Sequence, residues 1–170
     1  NVAAVLLGGF TFVRNSIEND YFKLNTPIEI AFTVIHPKIE LKTMHAREIL
    51  KNNVPLKKAI NQWGNLAAFI SSLYTEDYDL MSRSLVDEIV EPMRSLLIPK
   101  FEEVKKAVMD AGALGFGISG SGPSVYALAK GIKDANSIAD AMICNIKKVG
   151  IDFEVHKSSI NNQGIKIISS

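Results

Sequence analysis

Residues 115–129, GFGISGSGPSVYALA, hold glycines at 115, 117, 120 and 122, interleaved with Ser119, Ser121 and Ser124. Gly115, Gly117 and Gly120 match the letters of the G-x-G-x-x-G dinucleotide fingerprint. That fingerprint needs a helix to start inside it, so that the helix N-terminus meets the pyrophosphate. Here Pro123 follows and then SVYALA, which is β-branched, aromatic and apolar, so a strand stands where the helix is required. No Gly-Lys-Ser/Thr follows, which removes the P-loop reading as well. Two readings stay open on the residues alone. One is a hairpin turn between two core strands, with glycines at positive φ. The other is a bare backbone that a further group approaches closely. A two-residue turn needs one or two glycines, and each extra one costs about 0.5–1 kcal/mol relative to Ala.

Working outward, the pattern predicts strands over 114–118 and 124–130, a helix over 134–149, a strand over 151–156 and a last short strand at Ile165–Ile168. Upstream, Ile28–Ile35 (IEIAFTVI) alternates apolar at 28, 30, 32 and 34 and is ended by His36-Pro37, which predicts a strand. Thr43 suits a helix N-cap, with Ala46, Ile49 and Leu50 on one face. After Pro55, the residues Leu56, Ala59, Ile60, Trp63, Leu66, Ala67, Ile70 and Leu73 recur at helical steps and predict an amphipathic helix. Shorter helical pieces cover 76–97. Another helix runs from Pro99 to Ala111, with Phe101, Val104 and Val108 inward and Gly112 as its stop.

From Ile28 the order is thus β, several helices, β, β, α, β. This is an α+β, ferredoxin-like βαββαβ sandwich with helices on one face and an enlarged helical first connection. The first 27 residues do not fit it: Val5–Val13 reads as extended with a kink at Gly8–Gly9, Arg14–Asp20 as a turn, and Tyr21–Leu24 as extended. They are expected to be the terminal strands of a preceding domain, so the division is 1–27 and 28–170.

With 47% apolar and 22% charged residues and a formal net charge of +1, the chain has the composition of a globular domain and no electrostatic footprint for nucleic acid or an anionic membrane. The doublets Lys57–Lys58, Lys105–Lys106 and Lys147–Lys148 read as solvated faces. The lone Cys144 excludes an internal disulfide and a cysteine-based metal cluster; it reads as a buried or half-buried filler in a reduced, cytoplasmic setting. The apolar run Val2–Val13 falls short of the roughly 20 residues that span a bilayer. The chain opens on Asn1 rather than Met, and a longer polypeptide is expected to precede it. His36, His45 and His156 read as solvated or hydrogen-bonded, and the acidic pairs Asp87–Glu88 and Glu102–Glu103 as helix exteriors.

The run GFGISGSGPSVYALA resembles the third motif of the GHMP kinases, the superfamily of galactokinase, homoserine kinase, mevalonate kinase and phosphomevalonate kinase. The opening NVAAVLLGGF, the helix start TMHAREIL and the stretch EPMRSLLIPKFEEVKKAVMDAGALGFGISGSGPS are similar to the homoserine kinase branch, over nearly the whole chain. The resemblance implies a two-domain cytoplasmic enzyme that moves the γ-phosphate of ATP to the hydroxyl of L-homoserine in threonine biosynthesis. Its N-terminal domain would be of the ribosomal-protein-S5 type, and this chain would hold that domain's last strands and the whole ferredoxin-like domain. The main phosphate loop and the Mg²⁺ ligands would lie in the half not present, so no metal ligand is expected here and the fragment alone should not catalyse. A homodimer is compatible.

By the same resemblance, Asn1 sits near the substrate hydroxyl, and Arg47 and Arg94 bind the substrate carboxylate. Thr43 is a weaker substrate-binding candidate, because an N-cap role explains it fully. Gly120 would contact substrate through its backbone, and the motif Gly117, Ser119, Gly120, Ser121, Gly122 would back the phosphate loop. Two guanidinium groups suit a carboxylate-bearing substrate, since each is always charged and can grip both oxygens. A mevalonate-type kinase of the same superfamily and a non-catalytic ferredoxin-like binding or regulatory module are the alternatives.

Overall fold

A computed structural model describes residues 2–41 and 43–168, without the side chains of Thr43 and His45. The chain opens with helix α1 (Val2–Leu7), followed by the antiparallel hairpin β1 (Thr11–Asn15) and β2 (Asp20–Lys23), which forms a two-stranded sheet of its own. The extended segment expected from Val5 is therefore corrected. VAAVLL is rich in the strong helix formers Ala and Leu, and a short apolar run carries no periodicity that separates helix from strand. Gly8 and Gly9, both at positive φ, divide helix from strand.

Strand β3 (Ile30–Pro37) comes next. Helices α2 (Thr43–Glu48), α3 (Leu56–Thr75), α4 (Tyr78–Ser84), α5 (Glu91–Arg94) with its 3₁₀ continuation Ser95–Leu97, and α6 (Phe101–Asp110) form the long first connection. Then follow β4 (Gly115–Ile118), β5 (Val125–Lys130), α7 (Gly131–Lys147) and β6 (Phe153–Ser159). The four strands order β4-β5-β3-β6 and every neighbouring pair is antiparallel. Numbered from β3, that order is 2-3-1-4, the topology of a ferredoxin-like βαββαβ sandwich, as the sequence predicts.

The alternation of β3 separates two cores. Ala31, Thr33 and Ile35 face α7 and α6, where Val125, Ala127, Ala129, Phe116, Phe101, Val104, Val108, Ile138 and Met142 complete the larger cluster. The buried Thr33 hydroxyl donates to Ala135 O at 3.0 Å, which satisfies its polar group inside that core. Ile30 and Phe32 face the other way, onto a second cluster with Leu24, Leu73, Met81 and Leu128. The enlarged connection thus returns over the opposite face, so both faces of the sheet are covered, which corrects the expectation of helices on one face.

Several expectations are corrected. Residues 165–168 form no strand: β6 already occupies the place beside β3, and the segment before them folds back so that Gly9 N donates to Asn161 O at 2.8 Å. Cys144 is exposed on α7, because the faces of that helix turned to the sheet are filled by Ala135, Ile138, Ala139, Met142 and Ile146. The apolar spacing of α3 does not mark one inward face. Phe69, Ile70, Ser72 and Leu73 turn to the protein, whereas Leu56, Ile60 and Trp63 lie exposed. Among the described residues no helix is long and apolar enough to cross a membrane.

Candidate active site around the glycine turn

The turn between β4 and β5 is closed by its own backbone. Ser119 N donates to Ser124 O at 2.8 Å and Gly122 N to Ser119 O at 3.1 Å. Gly120 and Gly122 have φ of 63° and 82°, in the left-handed region that other residues enter at a cost. Their surroundings differ. A Cβ on Gly122 would lie 3.4 Å from Ile118, Ile98 and Leu41, while one on Gly120 would meet open space. Gly120 therefore presents unobstructed backbone, which matches the reading in which another group approaches. His36 on β3 anchors the far end of the turn through Nδ1 and the Ser124 hydroxyl, 2.8 Å apart.

Arg94 ends α5, whose first turn carries Pro92 where no intrahelical donor is needed. Its Nε donates to Ala46 O at 3.0 Å and its Nη1 to Gly120 O at 2.9 Å. One guanidinium thus joins α2 to the glycine turn and still holds uncommitted donors from its five. Arg47, next in chain to Ala46, is exposed. Among the described residues neither Arg47 nor Arg94 has an acidic partner within ion-pair distance. The Arg94 side chain, unneutralised among the described residues and beside the exposed backbone of Gly120, favours an anionic ligand.

The turn has a second side. A cavity of about 200 Å³ lies between α3, residues 84–91 and β4, with Asn65, Asp87, Glu91, Gly117, Gly120 and Tyr126 on its wall. Asp87 Oδ1 accepts from Ile89 N at 2.9 Å and Val90 N at 2.8 Å, which fixes the entry to α5 and hence the position of Arg94. Glu91 is nearly buried and pairs with Lys105. Burial raises its pKa above the ordinary glutamate value, against the opposing pull of Lys105. The Tyr126 phenol is also raised, by burial first and then by Glu91 and Asp87.

Asp87 and Glu88 are therefore not solvated helix exteriors, and Lys105 is not simply a solvated lysine. The carboxylates cap a loop or grip α3 through Asn61, and Lys105 reaches across to Glu91. Glu102 and Glu103 do lie exposed. Glu91 stands in the same EPMR stretch that points to Arg94, three residues before it, so its signal was present in the sequence. Tyr126 lies in the glycine-rich stretch itself, paired across the hairpin with Gly117, whereas nothing in the sequence pattern brings Asp87 to the turn.

Of the other candidates, Gly117 is buried in β4 with the Tyr126 ring facing its missing Cβ. Ser119 is exposed and Ser121 half-buried on the turn. Thr43 is the first residue of α2, and its side chain is outside the description. Asn1 lies outside the described residues. Among the described residues no group of three or more His, Cys, Asp or Glu side chains could hold a metal ion.

Residues 57–148 match the family model for the C-terminal domain of GHMP kinases. The chain belongs to the GHMP kinase C-terminal family. Two curated relatives of this GHMP domain are homoserine kinases. The chain is 42% identical to that of Chlorobaculum tepidum over 100% of its own length and 40% identical to that of Chloroherpeton thalassium over 99%. It spans 53% of each of those relatives, about half their length. Among solved structures, a homoserine kinase from Cytophaga hutchinsonii superposes with a TM-score of 0.96 at 45% identity, over 99% of this chain and 53% of that one. A mevalonate kinase of L. major superposes at 0.60 with 14% identity over 85% of this chain and 46% of that one, a likeness of fold alone.

Proposed function

We propose that this GHMP domain is the C-terminal part of a homoserine kinase, which transfers the γ-phosphate of ATP to the side-chain hydroxyl of L-homoserine. The observation that carries the reading is the Arg94 guanidinium, held at once by Ala46 O and Gly120 O, with Arg47 following Ala46 in the chain. That arrangement suits the carboxylate of an amino-acid substrate, with the hydroxyl to be phosphorylated lying toward the exposed backbone of Gly120. The relatives named as homoserine kinases support the choice of alcohol.

In this reading Arg47 and Arg94 bind and orient the carboxylate, the glycine turn supplies backbone contact and supports the phosphate loop of the other half, and Asn1 orients the hydroxyl. Phosphoryl transfer asks chiefly for positioning and charge stabilisation, so a half without an evident base is sufficient for this share of the work. ATP binds mainly to the other half. Mg²⁺ does not fit the residues described here, and no step is routed through it. Residues 1–27 belong to the preceding, S5-like domain and 28–170 to the ferredoxin-like one. Supporting that division, β1 and β2 pair only with each other, and α1 buries none of its residues while leaving Val2 74% and Val5 60% exposed.

The test is phosphate transfer by the complete protein to L-homoserine, mevalonate and galactose in parallel, with Arg47→Ala and Arg94→Ala beside the wild type. Homoserine should be strongly preferred, with kcat/KM reduced in both variants. Preference for another alcohol, or unchanged kinetics in both variants, would overturn the assignment.

A further inference from the structure

The chain beyond β6 turns back and grips the joint between α1 and β1. One side chain shapes the hook that does so: Asn161 Oδ1 accepts from Gln163 N at 3.0 Å, and Asn161 Nδ2 donates to Gly164 O at 3.2 Å. Hook and joint then meet backbone to backbone. Gly9 N donates to Asn161 O at 2.8 Å, and a Cβ on Gly8 would overlap both Gly164 N and Asn161 O. A Cβ on Gly164 would in turn overlap Leu6 O, a carbonyl of α1 itself. Gly8 and Gly164 are also at positive φ, so both space and conformation exclude a side chain at either place. Lys23 on β2 closes the grip from outside, its ammonium donating to Leu7 O at 3.4 Å and to Asn162 O.

Within this chain α1 has little else to hold it. None of its residues is buried, and Val2, Val5 and Leu6 lie exposed. The grip falls at its C-terminal end, whereas Asn1 is one peptide bond beyond its N-terminal end. A helix of 6 residues is about 9 Å long, so a tilt of roughly 6° at the gripped end carries the other end about 1 Å. A misplacement of that size can cost about a hundredfold in rate. The hook is continuous with β6, which pairs with β3 in the sheet whose β4–β5 turn Arg94 holds. It therefore ties α1 to the same framework that carries the guanidinium.

We propose that residues 161–164 and Lys23 form a clasp that sets the direction of α1 and so positions Asn1 at the substrate hydroxyl while Arg94 holds the carboxylate. Asn161, Gly164 and Lys23 act through α1, as positioning residues. The inference rests on the homoserine kinase reading, in which Asn1 orients the hydroxyl, and adds what holds that residue in register with the carboxylate site.

Lys23→Met and Gly164→Ala in the complete protein test it. Each should lower kcat for L-homoserine by about tenfold to a hundredfold and leave its KM within about threefold, because the carboxylate grip is untouched. Lys23→Arg, whose fork can still span both carbonyls, should recover most of kcat. The loss from Lys23→Met should vanish in an Asn1→Ala background and persist in an Arg94→Ala background. Hydrogen exchange reads the clasp without any substrate. Both variants should speed exchange at Gly8 and Gly9, whose amides bond to Ala4 O and Asn161 O, while β3 and β5 stay protected. A wild type that leaves L-homoserine unphosphorylated would remove the kinase reading, and with it the role given to Asn1, while exchange still decides whether the clasp holds α1. With an active wild type, unchanged exchange at Gly8 and Gly9 would overturn the clasp. Unchanged kcat, a loss carried by KM, or a full loss persisting beside Asn1→Ala would overturn its positioning role. If Gly164→Ala fails to fold, Lys23→Met, a change at an exposed side chain, decides alone.

Discussion

Replacing Arg94 should separate two roles that one guanidinium combines. Its bonds to Ala46 O and Gly120 O are charged-donor bonds, each worth about 1.5–3 kcal/mol when well shielded. The group is half-buried and the bond to Gly120 is solvent-exposed, so the low end applies, and Arg94→Ala should lower unfolding stability by about 2–3 kcal/mol. Arg94→Lys keeps the charge, but one ammonium on a flexible stem does not reproduce the fork that spans both carbonyls, and about 1 kcal/mol should be lost. Arg47→Ala is the control. Its side chain is exposed and without an ion pair among the described residues, so stability should stay within about 0.5 kcal/mol. Activity should sort differently. On the proposed assignment, both alanine variants lose a carboxylate contact worth about 2–4 kcal/mol in the transition state, or roughly thirtyfold to a thousandfold in kcat/KM. Urea unfolding and steady-state kinetics on the complete protein read the two quantities. Equal stability of Arg94→Ala and wild type would refute the bridging role, and destabilisation by Arg47→Ala to the same extent would refute the contrast.

Other consequences are open to measurement. A Cβ on Gly115 would sit 2.5 Å from Leu85 Cδ1 and 2.8 Å from Leu85 Cβ, so Gly115→Ala should cost about 1–3 kcal/mol by overpacking, and much less in a Leu85→Ala background, read as a double-mutant cycle in urea. Gly120→Ala adds no clash and should lose only about 1 kcal/mol through its positive φ, an effect that thermal unfolding resolves. The raised pKa of Glu91 means that its ionised form is disfavoured by folding. Its contribution is therefore fully present below the ordinary glutamate pKa of 4.5 and is lost as pH rises through the higher folded value. Wild type should thus lose ground to Glu91→Gln in urea midpoints as pH rises above the ordinary glutamate value, and a gap moving the other way would mean that Lys105 outweighs burial.

Much of this fold could be read ahead because the decisive elements announce themselves locally. The alternation of Ile28–Ile35, the strand after Pro123 and the stop at Gly112 each follow from residues within a few positions. What escaped has more than one cause. Val5 is helical because its run ends at two glycines in left-handed conformations, and 165–168 is left out of the sheet because β6 fills the place beside β3. The α3 stripe misled for another reason. Periodicity reports that a helix has an apolar face, not which way it turns, and α3 has apolar residues on two sides. At the site, Arg94 was found through a motif while its partners were not, since both are backbone carbonyls, 48 and 26 residues away, whose availability no side-chain pattern records. Asp87 shares the cavity with the turn only through the packing of α3 and β4.

The strand order has a consequence for what the sheet avoids. An open four-stranded sheet ends in two edges, and each unpaired edge is a template on which a stray strand can grow. Here the edges are blunted by different means. At one end β4 has only four residues, its first three buried under neighbouring helices, and two of them are glycines that offer an incoming strand no side chain to pack against. At the other end β6 is longer and exposed, but it carries Glu154, His156 and Lys157 along its length, which makes docking of an apolar strand costly. Gly115 and Gly117, from the same glycine-rich stretch as the turn, therefore also help to keep the sheet from polymerising.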